Sequence, residues 1–205
     1  MKTTVGIVAR TRMYGGRVCV GALSDDGENI RLMNLNCNSD FDANSPYRVG
    51  EIWEITGDRC GEQRPPHLED FAVTARKRLH AEKQLIGYIL ERAKPWKGSI
   101  EVLFDGKIEF TQNGAGYVSE SGIPKGATGF WIPTSGLTLQ NDDRGKAGYY
   151  PKKDYRHLSY VGLQDPIQQI AAKSLVRVSL ARWWKPPDAD TEFEERCYAQ
   201  LSGWY

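Results

Sequence analysis

The sequence predicts a mainly β protein with a few helices, an α+β chain of two small antiparallel units joined by a helix. Three observations carry that expectation. Short runs alternate apolar and polar residues at period two, as in Arg17-Val18-Cys19-Val20-Gly21-Ala22 and Glu51-Ile52-Trp53-Glu54-Ile55-Thr56. Asp26-Gly27 and Asp105-Gly106 are hairpin signals, because both residue types tolerate the positive φ that tight turns need. One long stretch, from Leu79 to Pro95, changes to a helical period.

Taken in order, Val5, Ile7 and Ala9 mark a first strand whose apolar face alternates with Gly6, Val8 and Arg10. Val18, Val20 and Ala22 mark a second, and Ile30 to Met33 a third, returned by Asp26-Gly27. The residues from Asn34 to Gly50 are rich in Asn, Ser and Asp and read as a loop. Glu51 to Thr56 is a fourth strand. Pro65 and Pro66 interrupt pairing, and Phe71-Ala72-Val73 is a short fifth strand. Leu79, Leu85, Ile86, Ile89, Leu90 and Ala93 share one side of the helix that Pro95 stops. Strands over Ile100 to Phe104 and Lys107 to Phe110 flank Asp105-Gly106. Gly129 to Pro133 and Leu137 to Leu139 are further strands. Gln140 to Arg156 reads as a long polar loop, and Asp165-Pro166, with Gln168, as the capped start of a short helix. Val176, Val178 and Leu180, then Cys197, Ala199 and Leu201, form the inward faces of two closing strands. A carboxyl end of Trp204-Tyr205 carries too much apolar area to be left in water.

These elements divide the chain into a first β unit over 1–78, a connecting helix over 79–96 and a second β unit over 97–205. Meanders of this size close as small barrels such as the OB-fold, and a single split sandwich fits the pattern almost as well.

The totals narrow the function. Lys and Arg number 27 and Asp and Glu 26, so any nucleic-acid contact comes from a local patch and not from bulk charge. Cys19, Cys37, Cys60 and Cys197 have none of the short spacings of a zinc site and are expected free, in a reduced compartment. Arg10 and Arg12 interrupt any leader-like apolar region and no run has the length of a membrane span, which together predict a cytoplasmic protein without a membrane partner.

Gly15-Gly16-Arg17-Val18-Cys19-Val20-Gly21, followed by Ile30-Arg31-Leu32, resembles the opening of the bacterial dual OB-containing domain family. His67-Leu68-Glu69-Asp70 sits where that family carries His-x-Glu-Asn, with Asp70 departing from the Asn. The resemblance is closest over about the first 75 residues and looser beyond. It implies two OB-like barrels and a nucleic-acid or nucleotide role in phage defence, and it carries no catalytic residue over to this chain.

Three groups of side chains are candidates for binding. Arg10, Arg17 and Arg31 fall opposite the apolar faces of the first strands, where a planar guanidinium suits phosphate; the competing reading pairs them with Asp25, Asp26 or Glu28. Lys152, Lys153, Tyr155 and Arg156 interleave cations with aromatics, which suits a strand backbone, or simply a solvated crossover. Arg177, Arg182 and Tyr198 lie on the outward faces of the closing strands, with Trp183 and Trp184 at the end of one; the alternative is that the tryptophans plug a barrel end. Gly114-Ala115-Gly116 lacks the Gly-Lys-Ser/Thr of a phosphate loop and reads as a turn. His67, Glu69 and Asp70 have metal-ligand chemistry, but nothing elsewhere completes a catalytic set, and the competing reading is a polar turn. The expectation is a non-enzymatic binder of single-stranded DNA or RNA with weak sequence preference and no cofactor. A protein-interaction scaffold in a multi-subunit bacterial complex is the alternative, and a metal-assisted nuclease or hydrolase is the third reading.

Overall fold

A computed structural model describes residues 1–39, 41–142, 145–190 and 192–205. The first five strands are β1 (Lys2–Arg12), β2 (Val18–Ser24), β3 (Asn29–Met33), β4 (Glu51–Arg59) and β5 (Asp70–Ala81). They close into a barrel in the order β1-β2-β3-β5-β4, in which β3 and β5 run parallel and the other neighbours antiparallel. Val5, Ile7, Val20, Ile30, Leu32, Ile55 and Phe71 fill it. A bulge in β1 between Ile7 and Ala9 shifts the pairing with β2 and reverses which residues face inward beyond it.

The remaining strands are β6 (Trp96–Gly98), β7 (Glu109–Phe110), β8 (Gly116–Ser119), β9 (Thr128–Pro133), β10 (Leu137–Asn141), β11 (Ala147–Pro151), β12 (Leu158–Tyr160), β13 (Gln169–Ile170), β14 (Val176–Leu180) and β15 (Arg196–Trp204). Among the described residues they form a ten-stranded mixed sheet with the path β13-β10-β11-β12-β15-β14-β9-β6, while β8 pairs with β15 and β7. Ile170 from one end and Trp96 from the other pack into a single core with Trp131, Val178 and Leu201, so the sheet curls around its own interior.

A third apolar cluster joins the units. Tyr88 and Ile89 of helix α1 (Leu85–Arg92) pack with Val8 and Leu23 of the barrel and Phe130 and Leu175 of the second unit. The Tyr88 hydroxyl donates to the Leu23 carbonyl at 3.0 Å. Gly6 leaves room for this ring: a Cβ there would sit 2.6 Å from Tyr88 Cε1. From the far end of the chain the Tyr205 hydroxyl donates to the Val8 carbonyl, so the last residue is fastened to the first strand.

Several local expectations give way to tertiary contacts. The fifth strand is long, and Leu79 belongs to it: β5 pairs with β4 as far as Glu51–Ala81, so ladder bonds override the helical period and the helix begins at Leu85. Asp105-Gly106 turns no hairpin. Instead Ile100–Val102 and Leu103–Gly106 form short helical turns that bury Ile100, Leu103 and Phe104 together, with Phe104 and Asp105 at positive φ. Within 140–156, expected as loop, β10 and β11 make a hairpin, because Tyr149 is core and drags the chain inward. No helix follows Asp165-Pro166; the Ile167 N–H and carbonyl both bond the Tyr149 hydroxyl instead of helical partners. Cys37 and Cys60, expected free, form a disulfide with Cα atoms 5.7 Å apart, since the loop after β3 folds back to the end of β4 across 23 residues of sequence. Cys19 and Cys197 are free. No helix among the described residues is long and apolar enough to cross a membrane.

Candidate nucleic-acid interface

The outward face of β2 and β3 places Gly21 directly opposite Arg31. In a five-stranded barrel of this topology that is the face open to ligands, yet here the second unit covers it. Leu23 is in the joining cluster. Arg177 of β14 reaches across to Gly21, where a Cβ would meet its Nη2 at 2.7 Å, so glycine is what lets the guanidinium in. Between the two sheets remains a cavity of about 450 Å³. Its cations are Arg12, Arg31, Arg177 and Arg182, and Glu69 is the carboxylate on its wall; Thr11, Ser179 and Gln200 supply neutral polar groups. It opens past Arg12, Arg182 and Tyr14, whose side chains are exposed, Tyr14 at 93%.

Asp70 stands behind this wall and bonds two of the arginines. Arg31 forks onto it at 2.6 and 2.7 Å, and Arg182 Nη2 donates to Oδ2 at 2.5 Å. Burial pushes the Asp70 carboxyl above its ordinary value while Arg31 pulls it back; held by two guanidiniums, it is the carboxylate at neutral pH. Burial opposes ionisation of Glu69 as well, but the His67 hydrogen bond and charge prevail and hold it below its ordinary value. Arg177 has no such partner. It is 5% exposed, its Nε bonds nothing, and among the described residues no carboxylate lies within ion-pair distance.

The outer face of the second sheet continues from this cavity. Gln200 on its wall shares a face of β15 with Tyr198, two residues away. The Tyr198 ring lies 6.2 Å from Tyr117 and 6.0 Å from Trp184, and Arg196 sits 4.3 Å over Tyr117. Beyond Tyr198 is an open groove bounded by Tyr150, His157 and Asn113. Tyr150 and His157 stack at 4.5 Å, and burial lowers the His157 pKa, which makes it a neutral flat ring at neutral pH.

One family model, that of the dual OB-containing domain, matches residues 3–204. The chain belongs to the dual OB-containing domain family. Comparison with curated proteins gives no match. OB-type domains commonly bind nucleic acids or proteins.

Within this dual OB chain the expected binding residues separate. Arg31, Arg177 and Arg182 meet at the cavity. Arg10 does not join them: past the β1 bulge it pairs opposite Val20, and its Nη2 donates to the Ala43 carbonyl at 2.8 Å. Arg17 lies in the turn before β2, where its Nε donates to the Tyr14 carbonyl at 3.3 Å and braces the cavity rim. Trp183 is half-buried, with its Nε1 on the Pro65 carbonyl at 2.8 Å and Arg64 4.8 Å over its ring, whereas Trp184 is 49% exposed. Lys152, Lys153 and Tyr155 are exposed in the turn after β11. Arg156 in the same turn is tied to Asp154 and Glu101 and lies 5.0 Å over Phe110.

His67 is buried, with Nε2 3.0 Å from the Ala181 carbonyl and Nδ1 3.5 Å from Glu69. The Nε2 contact with Ala181 and the Asp70–Arg182 pair hold the two units together, while Nδ1 faces Glu69 within the first unit. Among the described residues no group of three or more His, Cys, Asp or Glu is arranged to hold a metal ion. Arg12, Tyr14, Tyr117 and Arg196 are features that sequence reading passed over. The consecutive Arg-Thr-Arg of 10–12 was the one available signal for Arg12, which lines the cavity from the last position of β1.

Proposed function

We propose that this chain binds single-stranded nucleic acid, without turnover, along the outer face of the second sheet. The observation that carries the reading is the continuity of Tyr150, His157, Tyr198 and Trp184 with a cavity edged by arginines. Bases stack on the rings, which is tolerant of base identity, and Arg182, Arg12 and Arg196 neutralise phosphates. Lys152, Lys153 and Tyr155 extend the same basic and aromatic character along the strand's path, while Arg156 already has its partners.

Fluorescence anisotropy with labelled single-stranded DNA, single-stranded RNA and duplex tests it. Neutralising three phosphates gives a log–log salt slope of about −2. Trp184→Ala and Tyr198→Ala each weaken binding by about tenfold or more. Exposed Trp184 equally suits a protein partner. Failure to bind any oligonucleotide at low salt sinks the strand reading in favour of that second one, for which pull-down binding resists salt and is lost in Trp184→Ala.

A further inference from the structure

We propose that the cavity between the two units is a binding site for one phosphate monoester of nucleotide size, adjoining the stacking face and sharing Arg12 and Arg182 with it. Arg177 is the starting point. An arginine 5% exposed, with a buried, unbonded Nε and no carboxylate, is a costly arrangement unless an anion completes it. It is aimed at the cavity through the gap that Gly21 leaves. Charge supports the same ligand class. Four guanidiniums, Arg12, Arg31, Arg177 and Arg182, face two carboxylates, Glu69 on the wall and Asp70 behind it. The two positive charges left over match a phosphate monoester, which carries about −1.5 to −2 at pH 7. Size supports it too: about 450 Å³ is within the range of small-ligand pockets, and the covered β2–β3 face leaves no path for a strand to pass through. Tyr14, exposed at the mouth, offers a face for the attached base.

Two sources share this chemistry, a free mononucleotide and the phosphorylated end of a strand. The test uses the four nucleoside 5′-monophosphates, adenosine and inorganic phosphate, by titration calorimetry and thermal melting of the whole chain. At least one monophosphate binds and raises Tm, phosphate binds more weakly, and adenosine does neither. Arg177→Met removes an unpaired buried cation, so the unliganded protein melts no lower than wild type while nucleotide affinity falls at least about tenfold. Arg12 is exposed, makes no ion pair among the described residues and lies a loose 5.9 Å over the Tyr160 ring, so Arg12→Ala folds normally; it loses affinity several-fold and decides the matter should Arg177→Met fail to fold. A 5′-phosphorylated oligonucleotide binding more tightly than its 5′-hydroxyl twin identifies the strand end as the ligand. Equal binding of the two, with a monophosphate bound, identifies the free nucleotide. The proposal is overturned if no monophosphate binds and the twins bind alike, if adenosine binds as well as the monophosphates, or if affinity survives in the folded variants. Failure of the 5′-hydroxyl oligonucleotide to bind sinks the strand reading alone and leaves this site standing.

Discussion

The turn at 152–156 and the cleft around Arg177 both set basic side chains beside aromatic rings, and they use the charge in opposite ways. Arg156 sits in the turn with Asp154 and Glu101 bonded to it, and the Asp154 hydrogen bond raises its pKa further. Its charge is neutralised within the chain. Arg177 is more deeply buried, where an unpaired charge costs more, and has no counter-charge of its own. Exposure is therefore a poor guide to which cation is available for a ligand. The informative residue is the buried one that the protein itself leaves unanswered.

That contrast can be broken by mutation, with effects that run from large to small. Asp70→Ala is expected to cost most, about 3 kcal/mol in urea denaturation, because it strands Arg31 and Arg182 at the junction of the units. A loss near zero would mean that the junction is not held by this carboxylate. Arg156→Ala is expected to cost about 1–2 kcal/mol, through its paired carboxylates and its packing on Phe110, with nucleic-acid affinity unchanged. A large drop in affinity in that variant would erase the distinction drawn between the two regions.

Acid sharpens the same comparison. The folded pKa of Glu69 lies below its ordinary 4.5, so its contribution is complete above that value and is lost as pH falls through the lower, folded one. Urea midpoints measured downward from pH 7 should therefore decline less steeply at the acid end in Glu69→Gln than in wild type. Parallel acid limbs would contradict the depressed carboxylate. The smallest effect is chemical. Burial pushes the Cys197 thiol up to about 12 and raises that of Cys19, so thiol reagents at pH 8 should label the native protein very slowly. Unfolded without reductant it should take up two labels, and after reduction four, as the Cys37–Cys60 bond requires. Four labels without reduction would restore the free cysteines expected from sequence.

Much of the first barrel was legible because its signals are local. Val18-Val20-Ala22, Asp26-Gly27 and Ile30-Leu32 specify a hairpin over a few residues, and the neighbours they specify are the neighbours found. The alternation of Val176, Val178 and Leu180 likewise placed Arg177 on the face away from the core. What covers that face was not legible. It depends on Gly21, some 156 residues away, and on a docking cluster assembled from both ends of the chain. Arg10 was misplaced because one bulge reverses the face of every residue beyond it, and no residue type announces a bulge in Gly6-Ile7-Val8-Ala9.

The sequence by itself determined the β character, the strands with alternating faces, the tight turn at Asp26-Gly27 and the outward faces of Arg31 and Arg177, though not that of Arg10. These follow from backbone preferences and the period of apolar residues, which act over a few positions. Only the tertiary structure decided that Leu79 is strand, that Asp105-Gly106 closes helical turns, that Cys37 meets Cys60, and that Arg31, Arg177 and Arg182 converge on one cavity. Each of those outcomes rests on contacts between residues distant in sequence, where burial and ladder pairing outweigh local propensity.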